Sequence, residues 1–571
     1  MKLSTAFNAI LLSAACAAWG QAPAAPAAPA VPGEIVAPSD SPLTEEQMQL
    51  LNQKIDVGHI DIDRLREIVD EQQNAEPISM SLSDCIQQAL QNNPDIQVVR
   101  YEALKSATDI FTAQGEFDPV LSETYTHTKT EQVASPEYQT FAGISSLKMT
   151  KSNAKTSVSG KLHSGLIYDA SFELDKESTT FTDFVAEWSG GMTFTLSQPL
   201  LKGRGIVNNA HIRMAEKAKL ISDAQLRLSM MNIIAQVVKA YWDLVGAVDG
   251  LNVGQQAVAN AERLLDIAQK RLDIGTGAAL EVLQAKAGVA SRQTELITAR
   301  SQVSNAEDVL KQALNMRDNG VFSGKRIIPI DQPKGDELDI EKLKDIDGQL
   351  KQSFDLALHK RPEMTSGELE IEVAKIDRSR AANEMLPQVD LTGSAFQGKR
   401  GTQVTDVFEG LISRDDNMYA IGVKGQVALG NRAARGAFTR ADLTARQAET
   451  KLERTKQELM LQVRLALRAL NTSQVLIESN KQLSKLQETN VAAEEKRFRL
   501  GTSTSYRVLQ MQTDLLAAQT QEVQARIAYE KALVDLRLSE GVILDNFGVE
   551  FEAPEAQPAV TFSRSINPRE P

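Results

Sequence analysis

The sequence is short of the residues from which reactive sites are built. Of its 571 residues, two are cysteine and five are histidine. Cys16 lies in a leader-like stretch, so a chain processed after Gly20 keeps only Cys85 and has no intramolecular disulfide. No two of His59, His127, His163, His211 and His359 stand at metal-ligand spacing, and none pairs with a nearby cysteine. We therefore expect no catalytic residue, cofactor or metal, and no enzyme. Aromatic residues reach 5% and hydrophobic residues 42%, which suits long Ala/Gln/Leu-rich helices better than a large globular core. Positive charge is also scarce: 62 Lys+Arg against 75 Asp+Glu leaves a net charge of −13, which excludes a general nucleic-acid binder and a polybasic membrane anchor. Beyond residue 20 no run approaches the ~20 apolar residues of a transmembrane helix. A secreted chain without one can still span a membrane, but only within a closed β-barrel.

Residues 1–20 read as a secretory signal, with Lys2, an apolar run from Ala6 to Ala18, and an Ala18-Trp-Gly20 ending. Lipidation of Cys16 stays open as an alternative, although Ser13 stands where the usual lipidation signal has Leu. Residues 21–42 are an Ala/Pro-rich tether. Residues 43–76 look helical and polar, with a thin stripe of Leu65, Ile68 and Val69, so 21–80 is expected to be a tether and a peripheral helix.

What the chain does have is a repeat. Arg271-Leu-Asp-Ile-Gly-Thr-Gly-Ala-Ala-Leu-Glu-Val-Leu-Gln284 returns as Arg497-Phe-Arg-Leu-Gly-Thr-Ser-Thr-Ser-Tyr-Arg-Val-Leu-Gln510. Each copy interrupts a long helical pattern with one glycine-centred turn. The first pattern runs from about Ile206 to Asp273 and would be on the order of 100 Å long. Its apolar positions Tyr241, Leu244, Val248 and Leu251, then Ala261, Leu265, Ala268 and Leu272, have coiled-coil spacing. A shorter helix returns to about Met316. The second pattern covers about Asn431 to Leu500, and its return helix ends near Glu540. Ser83 is the expected N-cap of the helix that opens the first half, and Asn93-Pro94 breaks that helix and restarts it.

Before each long helix lie strands. In Glu187–Ser197, Trp188, Met192, Phe194 and Leu196 face one way, and Glu187, Ser189, Thr193, Thr195 and Ser197 the other. Lys155–Leu174 also reads as strand, with a break near Ser164-Gly165. The second half has Gln388–Phe396 and Met418–Leu429, the latter with Tyr419, Ile421, Val423, Val427 and Leu429 on one face, a lipid-out, lumen-in pattern. The offset between the halves is 268 residues before the strands (Pro94 to Pro362) and 226 after them (Arg271 to Arg497), so the first half carries 42 additional residues. We expect these to form an outward-facing loop, with room for an extra hairpin, at the extracellular end. The organisation is then a first repeat over 81–316, a mixed connector over 317–352 with a strand at Ile327–Ile330, a second repeat over 353–542, and a disordered tail over 543–571. The fold class is α+β, mainly long helical hairpins with a few strands and an internal two-fold repeat. A few strands cannot close a barrel alone, so copies must share one.

The two Ala-Leu-x-x-x-Pro-(Asp/Glu) helix breaks, Ser197-Gln198-Pro199-Leu200, the two Arg-x-x-x-Gly-Thr tips and the duplicated order resemble the TolC family of outer-membrane efflux and secretion channels, over about residues 80–542. The resemblance implies a homotrimer in outer-membrane lipid, with a shared β-barrel and an α-helical barrel in the periplasm. It implies a passive duct for a tripartite efflux pump or type I secretion system, completed by a periplasmic adaptor and an inner-membrane transporter. It also implies that Arg271, Leu272, Gly275, Thr276, Arg497, Gly501 and Thr502 dock the adaptor, although the glycines would be needed for the turns alone. The best-known member narrows its pore with paired acids six and nine residues beyond the second tip glycine. Here Arg507 and Gln510 stand there, and Glu281 occupies the first-repeat position equivalent to Arg507. An Arg507–Glu281 contact holding the tip shut is the expectation. The rival reading is a periplasmic coiled-coil adaptor or scaffold, against which the alternating strands argue. Lys202-Gly203-Arg204-Gly205 lacks the ending of a phosphate loop and reads as a strand-to-helix corner.

Overall fold

The computed structural model describes residues 77–133, 135–136, 145–180, 185–318, 321–333, 346–413 and 416–555. The leader, the tether and the stripe of Leu65, Ile68 and Val69 lie outside them. Strand β1 (Pro77–Met80) leads into helices α1 (Leu82–Asn92) and α2 (Pro94–Gln114). Four strands follow: β2 (Val120–Val133), β3 (Ser146–Lys161), β4 (Ile167–Thr179) and β5 (Glu187–Pro199). Helix α3 (Ala210–Asp273) then runs for 64 residues, turns, and returns as α4 (Ala279–Leu314). The connector holds β6 (Arg317–Asp318), β7 (Val321–Phe322) and β8 (Arg326–Pro329). The second half repeats the plan with α5 (Ile346–Lys360), α6 (Pro362–Glu384), β9 (Gln388–Gly401), a short α7 (Val404–Ser413), β10 (Asp416–Gln426), α8 (Arg432–Arg499), α9 (Ser505–Glu540) and a terminal turn, α10 (Ile543–Asn546). No described helix is long and apolar enough to cross a membrane.

Several expectations need correction. The cap of α1 is Ser81, not Ser83: Ser81 Oγ accepts from the Asp84 amide and Asp84 accepts from the Ser81 amide, a reciprocal box that satisfies two donors at once. Residues 77–80 are not tether, because β1 pairs in parallel with β8. The tail does not begin at 543, since Ile543 and Leu544 of α10 are fully buried. β10 ends at Gln426, so Val427 and Leu429 lie beyond the strand.

The largest correction concerns the 42 extra residues. The extra hairpin is there, but among the described residues it belongs to the sheet and not to a loop outside it. The sheet has six strands in the order β10-β9-β5-β4-β3-β2, every pair antiparallel, and the extra length supplies a strand pair of that sheet. Residues paired across an antiparallel ladder share a face. The ladder therefore puts Leu121, Val158, Ala170, Phe194, Ala395 and Tyr419 on one side, in one row across all six strands. The opposite side carries Ser122, Ser157, Ser171 and Thr193 on β2 to β5, a row that reaches Phe396 and Met418 on β9 and β10, with Thr195 and Ser394 in the next row on that side. This is the apolar-out, polar-in alternation of a transmembrane barrel wall. Helix α7 lies back over the apolar side, with Phe408 stacked on Phe172 at 5.6 Å between ring centres.

The helices make one layer. Towards the sheet its order is α2, α3, α6, α8; towards the turns it is α4, α3, α9, α8. The main core sits midway along α3, where Met231, Ile234, Tyr241 and Leu244 pack against Cys85 and Ile86 of α1, Leu310 and Leu314 of α4, Ile327 of β8, and Ile543 and Leu544. Burial pushes the Cys85 thiol up to about 12, so it is a small apolar group there and not a nucleophile.

Candidate functional site: the paired helical tips

Both tips are built from one backbone device. In the first, the Gly275 amide donates to Leu272 O at 2.9 Å and the Thr276 amide to Arg271 O at 2.9 Å. In the second, Gly501 donates to Phe498 O at 3.0 Å and Thr502 to Arg497 O at 3.0 Å. This is the Schellman pattern, which needs a left-handed residue just past the helix. Gly275 has φ +75° and Gly501 φ +78°, so glycine is required at both for the turn itself. Thr276 and Thr502 each add a hydroxyl bond to the same carbonyl, at 3.2 and 3.1 Å.

The tips lie side by side and share a small core of Leu264, Ala268, Val282, Ala285, Phe498 and Val508, with Leu272 packed against it. Ser505, fully buried, donates to Gln284 Oε1 at 2.8 Å across the two hairpins. Arg271 crosses as well: its guanidinium carbon stands 4.5 Å from the Phe498 ring centre, and Nη1 donates to Phe498 O at 3.1 Å.

The expected Arg507–Glu281 contact does not form within the chain. Glu281 Oε2 lies 3.5 Å from Arg271 Nη1, and Arg507 Nε lies 3.4 Å from Glu494 Oε1. Equal height in the repeat does not make two residues neighbours, because each acid is met first by an arginine of its own hairpin. Gln510 donates to Asp514 one turn on, at 3.2 Å. Glu494 is a site residue that the sequence reading missed. It accepts from Ser503 Oγ at 2.5 Å and from Arg497 Nη1 at 3.2 Å. The Ser503 bond first, and the Arg497 and Arg507 charges after it, hold its carboxyl below the usual glutamate range. The signal was present: the first repeat has Ala268 at the equivalent position, so an acid enters the second tip alone.

With this geometry in place, the comparisons are decisive. The family model described as outer membrane efflux protein matches residues 85–316 and 354–542, most of the chain. The chain belongs to the outer membrane efflux protein family. It is 22% identical to the outer membrane protein TolC of Escherichia coli over 371 residues, 63% of this chain and 71% of that one. It is 22% identical to the alkaline protease secretion protein AprF of Pseudomonas aeruginosa over 379 residues, 66% of this chain and 73% of that one. Among solved structures, the Campylobacter jejuni CmeC outer membrane channel superposes with a TM-score of 0.58 at 15% identity, covering 83% of this chain and 87% of that one. The protein is thus an outer-membrane channel of TolC type and not an enzyme, and the rival reading as a periplasmic adaptor or scaffold is set aside.

Proposed function

We propose that the protein is a homotrimeric exit duct, passive in itself, through which an inner-membrane transporter and a periplasmic adaptor of an efflux pump or type I secretion system deliver cargo across the outer membrane. The observation that carries this reading is that both layers end in open edges. The sheet stops at β2 and β10, both exposed along their lengths. The helical layer stops at α2 and α4 on one side and α8 on the other. Those edge helices expose Val98, Tyr101, Leu283 and Ile297, and Leu461 and Leu465 of α8. Open strand edges cannot stand in lipid, and apolar helix edges favour burial against a copy of the chain.

The tips are the part furthest along α3 and α8 from the sheet, so they are where a periplasmic adaptor would meet the duct. The exposed Ile274, Leu280, Leu500 and Tyr506 around Gly275 and Gly501 give that partner an apolar contact. Arg271, Leu272, Thr276, Arg497 and Thr502 shape the turns that present it. The test is purification from outer membranes, mass measurement of the detergent complex, and recording in planar bilayers. Trimers that conduct support the reading. A monodisperse monomer without conductance overturns it.

A further inference from the structure

The edges of the six-stranded sheet allow a more specific statement, which rests on the shared-barrel reading above. We propose that β2 pairs edge to edge with β10 of a second copy, so that each copy contributes six strands to the wall and three copies close a barrel of eighteen. The rival arrangement keeps β2 and β3 out of the wall and pairs β10 with β4 of the next copy, for four strands each.

Three features place β2 and β3 in the wall. The first is the continuity of the ladder. β3 runs beside β4 from Met149 to Lys161, and β2 beside β3 from Val120 to Val133, without interruption. On the polar side, Asn153 donates to Glu173 at 2.6 Å and to Asp175 at 3.0 Å, and Lys151 meets Asp175 at 3.1 Å. These bonds tie β3 to β4 through side chains that would face the lumen. The second feature is the seat of the β3–β4 turn. Gly165, at φ +90°, lies so close to the strand-to-helix corner that a Cβ there would come within 2.6 Å of both Asn208 Nδ2 and Gly203 O. Asn208 itself closes that corner by donating to Gly203 O at 2.7 Å. At the same end Lys161 reaches Glu116 at 2.7 Å and His163 stacks on Phe117 at 4.2 Å. The hairpin is therefore clamped at its base in line with the wall.

The third feature is direction. All five pairings are antiparallel and six is an even number, so β2 and β10 run opposite ways. A second copy can thus continue the ladder with the same antiparallel joint, and the joint repeats until the barrel closes. Neither edge carries a proline, and at 14 and 11 residues both are long enough for a tilted span of ~9–11. Six strands are too few to close alone, since the smallest barrels have about eight. On the apolar side β2 offers Leu121 and Tyr125 to the membrane, with Glu123 between them at the joint itself. Barrel diameter grows roughly linearly with strand number, so this wall would be about half again as wide as one built from four strands per copy.

The test is cross-linking of the full-length protein purified as trimers. Leu121→Cys or Tyr125→Cys is combined in turn with Tyr419→Cys, Ile421→Cys or Val423→Cys, all on the apolar side. A disulfide needs Cα atoms within about 7 Å, so only true edge partners couple. The expected result is a ladder of dimer and trimer on a non-reducing gel for at least one combination. Ala170→Cys of β4, paired with the same β10 cysteines, should give none. Hydrogen exchange of the unsubstituted trimer should show β2 amides as protected as those of β5. Trimers whose β10 cysteines couple to Ala170→Cys, with fast-exchanging β2 amides, would overturn the proposal while leaving the trimeric duct intact. A monomer throughout would remove both.

Discussion

The guanidinium of Arg271 in the first tip stands over the ring of Phe498 in the second, 4.5 Å from its centre, and donates to the carbonyl of the same residue. One side chain thus joins two hairpins that the chain reaches 227 residues apart. It is largely shielded from water, with 14% of the side chain exposed, so the contact is screened little. A shielded cation–π contact contributes about 2 kcal/mol and a charged hydrogen bond a similar amount. Arg271→Ala is expected to loosen the pair of tips without disturbing the barrel. Hydrogen exchange should rise across residues 264–285 and 494–510 only. Arg271→Lys keeps the charge but loses the guanidinium fork that reaches ring and carbonyl together, and should fall between the two. Unchanged exchange in the alanine variant would show that the shared apolar core alone holds the tips.

Tyr241 is the polar anchor at the middle of the long helix. Its hydroxyl donates to Asp331 Oδ2 at 2.9 Å and accepts from the Asp331 amide at 3.1 Å, while the Leu82 amide donates to the same carboxylate at 2.7 Å. Burial first, and the Asp331 carboxylate with it, raise the phenol above its ordinary range, so it stays protonated. Tyr241→Phe leaves an amide and a carboxylate short of a partner, at a cost of about 1–3 kcal/mol. The urea midpoint should fall accordingly, and exchange at β1 and β8 should rise first. A midpoint within error of the parent would mean that the connector is held by packing alone.

How much of this was legible depends on the range of the interaction. The tips, both long helices and the return helices could be read directly, because glycine at φ > 0 and heptad spacing are local signals that the duplication states twice. The cap at Ser81 was legible too, since Asp84 stands three residues on, but the nearby Ser83 masked it. The faces of β5 and β10 followed from alternation. The offset between the halves revealed 42 extra residues but not whether they pair, because ladder formation is a long-range event. The apolar run at Ile327–Ile330 was readable and appears as β8, one residue earlier, but its partner β1 is too short for any periodic signal and pairs from 249 residues away (Pro77 to Arg326). The tip pairings failed for a related reason. Equivalence of Glu281 and Arg507 sets their level along the axis, whereas contact depends on which way each side chain leans from its helix.

The assignment of the sheet faces gives a direct comparison of neighbouring residues. Phe194 and Thr195 are adjacent in β5 but lie on opposite sides, Phe194 beside Ala395 and Thr195 beside Ser394. Arginine on the lipid side of a barrel costs about 2–4 kcal/mol near the midplane, while the lumen side is far more tolerant. Phe194→Arg should therefore sharply reduce the folded, heat-resistant form in outer membranes. Thr195→Arg should leave assembly near the parent level and alter ion selectivity. Equal assembly of the two variants would reject this orientation of the wall.

The last prediction concerns the acid of the second tip. Glu494 is buried to within 9% of its side chain, while Arg507 beside it is 65% exposed, so the ion pair itself contributes little. The consequence of altering it falls on the buried partner. Arg507→Glu sets a second carboxylate beside Glu494, which cannot move into water without giving up its Ser503 bond. Resting conductance in a planar bilayer should rise severalfold. Glu281→Arg should not restore it, because Glu281 is met by Arg271 on the other hairpin. Glu494→Gln should, by removing one of the two charges. The pH dependence follows with a definite sign. In the parent, the carboxyl of Glu494 is held below its ordinary value, so its stabilisation is complete above the ordinary glutamate pKa of roughly 4.3 and is lost as pH falls through the lowered value. Acid should therefore loosen the parent tip. In the Arg507→Glu variant, acid protonates one of two crowded carboxylates and relieves the repulsion, so conductance should fall as pH is lowered from about 7 towards the glutamate range. Opposite slopes in the two proteins are the expected outcome. Parallel slopes, or rescue by Glu281→Arg, would place the closing contact between copies of the chain and not within one.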